Sequence, residues 1–540
     1  MGIKLQGFQG EQRKINESLL PINGSSVANN IDLTHGTLLP FSGMLTYLSA
    51  PFGGPPYPDI KTLYGTASAK AIGSLTDTYV ARQITQDTGK EWVYWTGGSA
   101  PSMVSMSDVS TAMGSATSST NLYGLAITLG ISAPTAAITG LTVSGSGSGI
   151  PLTKAYVYTW VGSNGEESAP SPVSGQVQSA WGQSVSFTVP TPSGLSSYIT
   201  AWRYYRTDIA GNWRFVEEVP IASLTRTDGT DELSLGEVLA TEGWYPPPSN
   251  LTGLKNGPNG QLCGFFGNTV AFCAPYAPYA WPVTFQFNVD YPVVAVAPNS
   301  GGWFVATEGL PYFIYGTNPS QMSMSRIDQI QPCVAPRSMV DMGDYLIYAS
   351  PDGLVAASGM TVRLMTKEII TPAQFRSLSP SGLRACYWQG KYLAFFADGT
   401  TNAFIYYPDS NSFVTLDLSA TATVQWIGAD DVYVYDYVSG NIERIGGGSA
   451  MTMSWKSKRF RGGLANMGAA RVDAASYPVT FNLYADDNST AIFSYSVPSE
   501  KVFRLPAGYY ANSFYVEIVG TNEVKAVYIG QDIDDATEAA

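Results

Sequence analysis

The chain has 540 residues, 29 Lys and Arg against 42 Asp and Glu, and a formal net charge of −13. That acidity argues against gripping nucleic acid through its phosphates, which needs clustered cations. A 44% apolar, 13% charged composition excludes a disordered polymer, and a single histidine, His35, argues against His-based metal sites and leaves one partner for a nucleophilic Ser or Cys.

Low charge, 33 tyrosines, 55 glycines and 34 prolines favour strands and turns over helices. Four cysteines, Cys263, Cys273, Cys333 and Cys386, form no C-x-x-C pair and read as buried small hydrophobes. The first 17 residues hold no apolar export segment, and Gln6 stands where a myristoylation signal needs Ser or Thr. The longest apolar run, 122–133, is interrupted by Gly124 and Gly130 and is too short to span a bilayer. The expectation is a soluble protein made in a reducing compartment.

Residues 1–50 read as an extended arm lying on another part of the molecule, with His35-Gly36 a turn rather than a catalytic pair. In 51–133, Thr78–Ile84 and Glu91–Thr96 predict a hairpin around Asp87-Thr88-Gly89-Lys90. Residues 105–119 read as a Ser/Thr-rich loop with a short helix at Asp108–Met113. The Gly-x-Gly run at 144–149 lacks the context of a nucleotide loop and reads as a linker or hairpin tip.

Residues 134–250 predict an inserted sandwich. Ala155–Val161, Val185–Val189, Ala201–Thr207 and Trp213–Val219 are short strands, with a turn at Asp208–Asn212. The pattern resembles a fibronectin III or Ig-like domain.

In 251–445 a strand–turn–strand unit recurs from residues 260, 302, 343, 390 and 430, at spacings of 42, 41, 47 and 40. That period is the signature of β-propeller blades, each covering its neighbour's face. The Trp92 hairpin adds a sixth unit. The expected fold is therefore all-β: a propeller of six to eight blades, an inserted sandwich, and a C-terminal β-sandwich over 446–540. In that last part Gly446-Gly447-Gly448 reads as a hinge, Phe514–Val519 and Val524–Ile529 as a strand pair, and 532–538 as a frayed acidic tail.

Several segments in order carry a resemblance. They are Trp95–Pro101 (WTGGSAP), Leu129–Thr135 (LGISAPT), Asn256–Pro282 with its PYAPYAWP ending, Cys333–Ser338 (CVAPRS), Tyr348–Val355 (YASPDGLV) and Phe503–Gly508 (FRLPAG). Together with the arm segment Asn29–Leu33 they resemble the tail nozzle, or tail hub, proteins of short-tailed bacteriophages. Ala335-Pro336 departs from that family's Ser-x pattern.

The resemblance implies a virion protein made in the host cytoplasm and placed at the distal part of the short tail. It implies a homohexamer that extends the channel of the portal and adaptor, retains the genome end and conducts DNA at ejection. Its partners would be the tail adaptor and portal, fibres, spikes or a needle, and the host envelope, with viral DNA passing unbound. Residues 105–119 and 316–332 are candidates for a channel constriction. An acidic lumen would repel phosphate, and the basic run Lys456–Arg461 reads as a solvated strand edge rather than a contact with an acidic neighbour or DNA.

Two other readings compete: a module gripping a host receptor or glycan, and a propeller glycosidase. The carboxylate pairs Asp430-Asp431, Asp486-Asp487 and Asp534-Asp535 sit in turns, and adjacent residues on a strand face opposite ways. No Asp-box, G-x-S-x-G or H-E-x-x-H occurs. No catalytic, cofactor-binding or metal residue is assigned.

Overall fold

The computed structural model describes residues 2–54, 60–65, 71–84, 91–97, 100–113, 118–119, 126–191, 194–396, 403–425 and 431–538. The fold is nearly all β. Among the described residues, the α-helices are Met106–Met113, Pro372–Ser377 and Ile533–Glu538.

Seven sets of three or four neighbouring strands, numbered I to VII, follow one another along the chain. Sheet I holds Thr62–Gly65, Ala71–Ser74 and Ser118–Ser119; sheet II holds Tyr79–Ile84, Glu91–Thr96, Ser102–Ser105 and Ile127–Thr128. Sheets III to VI are four-stranded antiparallel meanders over 252–288, 293–326, 340–364 and 383–416. Sheet VII joins Ala422–Gln425, Val432–Asp436 and Asn441–Arg444 to a strand from the arm, Leu45–Leu48.

The recurring units are the second strands of these meanders: Leu262–Phe266, Gly302–Thr307, Leu346–Ser350, Lys391–Phe396 and Val432–Asp436. They are legible because they are buried on both faces. The predicted hairpin of sheet II forms, with Tyr79 opposite Thr96; its turn, 87–90, lies outside the described residues.

Each sheet covers the next with apolar side chains. Ile72 packs with Val93 and Trp95 between sheets I and II, and Trp92 with Leu254 and Trp281 between II and III. Phe272 packs with Val296 between III and IV, and Phe304 with Tyr348 between IV and V. Ile347 meets Tyr392 between V and VI, and Leu393 meets Val432 between VI and VII. Tyr435 and Ile442 of sheet VII pack with Leu63 of sheet I. Each such side chain contributes roughly 1.5–3 kcal/mol by leaving water, which offsets the entropy of ordering these short strands.

The arm is stitched in throughout. Ile3–Leu5 pairs with Val524–Gly530. Ser25–Asn29 lies between Ser412–Leu416 of sheet VI and Met453–Ser457 of the C-terminal part. This makes one ten-stranded sheet from sheet VI into the C-terminal sandwich. Phe8, Ala28, Ile31 and Phe41 of the arm share a single core with Trp455, Phe481 and Ile518.

Residues 139–228 form three small sheets around a shared core of Tyr158, Trp160, Phe187 and Trp202. The hairpin Ile199–Thr207 with Trp213–Pro220 matches the expectation, and the Asp208 carboxylate accepts the amides of Ala210 and Asn212 in the turn. Beside Tyr156–Gly162 runs the Ser/Pro segment 168–174. Pro170 and Pro172 cannot donate to a ladder. The hydroxyls of Ser168, Ser171 and Ser174 accept the amides of Trp160, Tyr158 and Tyr156 at 2.9, 3.1 and 2.9 Å instead. The 144–149 glycine run joins strands Thr139–Ser144 and Ser148–Lys154, which belong to different sheets, so it is a corner between layers.

Several expectations need correction. Ala511–Gly520 and Val524–Gly530 do not pair; the first joins Met453–Ser457 and Val479–Ala485, the second Ile3–Leu5 and Ala469–Ala474. The short connection after Gly520 carries the chain across the sandwich rather than back along one sheet. The acidic tail is a helix, Ile533–Glu538, anchored by fully buried Ala536. Gly446–Gly448 is a clamped crossing rather than a hinge: Gly448 donates its amide to Gly43 O at 2.9 Å, and Gly43 donates to Ser449 O at 2.9 Å. The short helix expected within 105–119 forms as Met106–Met113, but Ser105 ends a strand of sheet II and Ser118–Ser119 is a strand of sheet I, and Ser323–Arg326 within 316–332 is the fourth strand of sheet IV.

Candidate functional site

The first strands of the seven sheets neighbour one another. Tyr79–Ile84 touches Thr252–Asn256, which touches Val293–Asn299; Leu383–Trp388 touches Val340–Asp341 and Ala422–Gln425. Ala422–Gln425 then touches Thr62–Gly65. The Thr62 hydroxyl accepts the Thr78 amide at 3.0 Å, which links sheet I to sheet II. The turn Pro336–Ser338 sits between sheets IV and V and touches both Val293–Asn299 and Leu383–Trp388.

These strands enclose a cavity of about 460 Å³, lined among others by Thr62, Tyr79, Lys255, Arg337, Asp341 and Arg384. Arg337 is its hub. Nε and Nη2 donate to Asp77 Oδ1 at 2.9 and 2.7 Å, and Nη2 also reaches Thr62 Oγ1 and the Thr78 carbonyl. The guanidinium lies 4.0 Å from the centre of the Tyr79 ring, a cation–π contact. Arg384 donates to the Lys61 carbonyl at 2.8 Å and lies 3.6 Å from Asp77. Burial works against the charge of Arg384, and Asp77 opposes that loss.

Lys255 is different. It makes no ion pair among the described residues, and burial pushes its ammonium down to about 8, the Arg337 charge adding to the effect and Asp341 opposing it. Sequence reading passed over these residues. Arg337 lay inside the quoted CVAPRS segment, and only the turn geometry reveals that it reaches back across some 260 residues to Asp77.

A second cavity, about 540 Å³, lies where the inserted sandwich meets sheet III, lined by Glu167, Arg203, Glu218, Glu237, Thr241 and Trp244 among others. Trp244 and Tyr279 meet edge to face at 5.9 Å. Glu167 accepts from Thr159 and Tyr205 at 2.6 Å and from Arg203 at 2.7 Å, while the buried Thr241 hydroxyl has no partner among the described residues. Nearby, the Tyr198 hydroxyl faces Asn164 Oδ1 at 2.8 Å and the Glu166 carboxyl. Burial lifts Glu166 to about 7, against the lowering effect of those two partners.

The residues weighed in the sequence fall elsewhere. His35 stands in an exposed turn closed by the Gly36 amide on Leu33 O. Asp431 pairs with Arg444 at 3.5 Å, Asp486 accepts the amides of Asn512 and Ser513, and Asp487 pairs with Arg459; Asp430 lies outside the described residues. Asp534 and Asp535 open the last helix. Cys263, Cys273 and Cys333 are buried free thiols, and Cys386 is half-buried, so burial raises all four. The basic run is taken up by its neighbours. Lys456 lies 4.2 Å from the Tyr515 ring centre, and Arg459 pairs with Glu17 and Asp487.

No protein-family model matches the chain, and no curated protein matches it. Among solved structures it is similar to PorZ, a surface component of the type-IX secretion system of Porphyromonas gingivalis, at 11% identity and a TM-score of 0.27. That match covers 63% of this chain and 46% of PorZ, so the chain spans under half of PorZ. It is also similar to Sqt1 of Saccharomyces cerevisiae, at 11% identity and TM-score 0.26, over 72% of this chain and 99% of Sqt1. A third likeness is to the extracellular domain of BT4673 from B. thetaiotaomicron, at 8% identity and TM-score 0.24, over 88% of this chain and 57% of that one. Superpositions this loose define neither a family nor a function.

Proposed function

We propose that sheets I to VII are the blades of one seven-bladed β-propeller, and that the protein is a nozzle subunit of a short phage tail. The observation that carries the propeller is cyclic order: sheet VII, completed by the arm strand Leu45–Leu48, packs on sheet I through Tyr435, Ile442 and Leu63. The nozzle reading rests on the motif series running from the arm to Phe503–Gly508. The ten-stranded sheet supports it, because it welds blade, arm and C-terminal sandwich into the stiff wall that a pressurised conduit requires. Low charge density and many aromatics suit packing between copies.

In this reading six copies surround a channel below the portal and adaptor, hold the genome end, and pass DNA without binding it. Mass photometry and negative-stain imaging of the native assembly test it. A ring of six chain masses with an open centre is expected; a species that remains monomeric on its docking platform overturns it.

A second reading has one specific observation in its favour. The cavity at the sandwich joint combines the Trp244–Tyr279 aromatic pair with Arg203, Glu218, Glu237 and an unpartnered Thr241 hydroxyl, the mixture that sugars stack on and hydrogen-bond to. A host-glycan-binding module would use it. Glycan-array binding abolished by Trp244→Ala would favour that role.

A further inference from the structure

The central cavity holds more positive charge than its own carboxylates neutralise. Lys255, Arg337 and Arg384 line it, against Asp341 in the lining and Asp77 behind Arg337. This occurs in a chain of net charge −13, where cations are scarce. Asp77 is engaged by Arg337 and Arg384, and no ion pair joins it to Lys255 among the described residues.

Structure alone explains the two arginines. Arg337 ties the Pro336–Ser338 turn to sheets I and II, and Arg384 ties sheet VI to the Lys61 carbonyl. It does not explain Lys255. A half-buried cation lining a cavity beside a second cation, with no ion pair among the described residues, is costly unless something negative occupies the space. An apolar residue at this strand position would remove that cost.

We propose that the central cavity is a binding site for a small multivalent oxyanion, a phosphate- or carboxylate-bearing molecule, held by Lys255 with Arg337 and Arg384. The cavity volume falls in the range of small-molecule sites, roughly 300–1,000 Å³. Lys255 supplies a point charge with three rotatable donors, and Tyr79 lines the same cavity. The arginines are already oriented by Asp77, so binding requires little reordering. The site is independent of the nozzle reading, since it lies inside one chain rather than in a channel between copies.

Isothermal titration of the full chain with pyrophosphate, and separately with citrate, tests the site. At least one anion is expected to bind with one site per chain, and Lys255→Gln is expected to weaken it tenfold or more. Lys456→Gln, on the Tyr484–Tyr515 face, should leave binding unchanged. Pyrophosphate binding without citrate binding would identify the ligand class as phosphate, and the reverse as carboxylate. If neither anion binds at millimolar concentration, or if Lys255→Gln binds as tightly as the parent, the proposal fails. Should Lys255→Gln not fold, the melting temperature of the parent still decides the matter. A rise with either anion that Lys255→Arg retains supports the site, and no rise overturns it.

Discussion

Arg206 Nη1 donates to Asp228 Oδ2 at 3.0 Å with both side chains sealed inside the sandwich, at 1% and 0% exposure. The Tyr156 hydroxyl donates to the same oxygen at 2.9 Å, and Arg206 Nη2 reaches Glu232 at 3.1 Å. Arg206→Met leaves Asp228 as an unpaired buried charge and should cost about 3–5 kcal/mol. Adding Asp228→Asn removes the charge while keeping an acceptor for Tyr156, so the double variant should regain part of the loss. Denaturant midpoints of the two variants check both statements.

Glu166 predicts a pH effect with a definite sign. Its folded carboxyl sits near 7 and its ordinary value is 4.5. The unfolded chain therefore loses the proton first as pH rises. This contribution to stability is complete below 4.5, declines between 4.5 and about 7, and is flat above. From the linkage of about 1.4 kcal/mol per pKa unit, the decline is on the order of 3 kcal/mol. Glu166→Gln should match the parent near pH 4 and exceed it at pH 8, as read by the difference between their urea midpoints across that range.

Phe8 of the arm meets Trp455 edge to face at 4.9 Å, and Trp455 Nε1 donates to Gln9 O at 3.1 Å. Phe8→Ala should cost about 3–5 kcal/mol, and water admitted beside Trp455 should redden tryptophan emission. Because sheet VI and the C-terminal sandwich share this core, calorimetry should show them melting together in the parent. A separate early transition for the C-terminal part of the parent would contradict the shared core.

At Gly448 an added methyl would lie 2.3 Å from the Met44 carbonyl oxygen, a backbone atom that cannot swing aside. Gly448→Ala should therefore lift the arm from its crossing at a cost of about 1–3 kcal/mol. Hydrogen exchange at the Leu45–Leu48 amides should accelerate while the inserted sandwich stays protected.

Legibility followed burial. Strands such as Gly302–Thr307, buried at every position, stand out as short apolar runs between turns, and so the repeat was readable. First strands such as Val340–Asp341 are short, and Thr252–Asn256 carries Lys255 toward the cavity, so their patterns break where the site lies. The arm's strands hold two to five residues, and Ile3–Leu5, Ser25–Asn29 and Leu45–Leu48 pair with partners hundreds of positions away, too short for any periodicity to register. The last helix hid because its one buried side chain, Ala536, is flanked by acids and polar residues. The hinge reading of Gly446–Gly448 failed because close backbone approach and flexibility both select glycine.

The strand Leu45–Leu48 also sets a timetable. On the ribosome it emerges early, yet its partner, Asn441–Arg444, is made almost four hundred residues later. Until then sheet VII has an open edge and the face of sheet I that Tyr435 will cover is bare. The inserted sandwich, whose contacts fall within about a hundred residues, can be finished while the rest waits. Pairing Leu45–Leu48 with Asn441–Arg444 is therefore a long-range closure, the kind of contact that forms slowly. Any lesion that delays residues 422–444 leaves a sticky, unlatched body rather than a slightly weaker one.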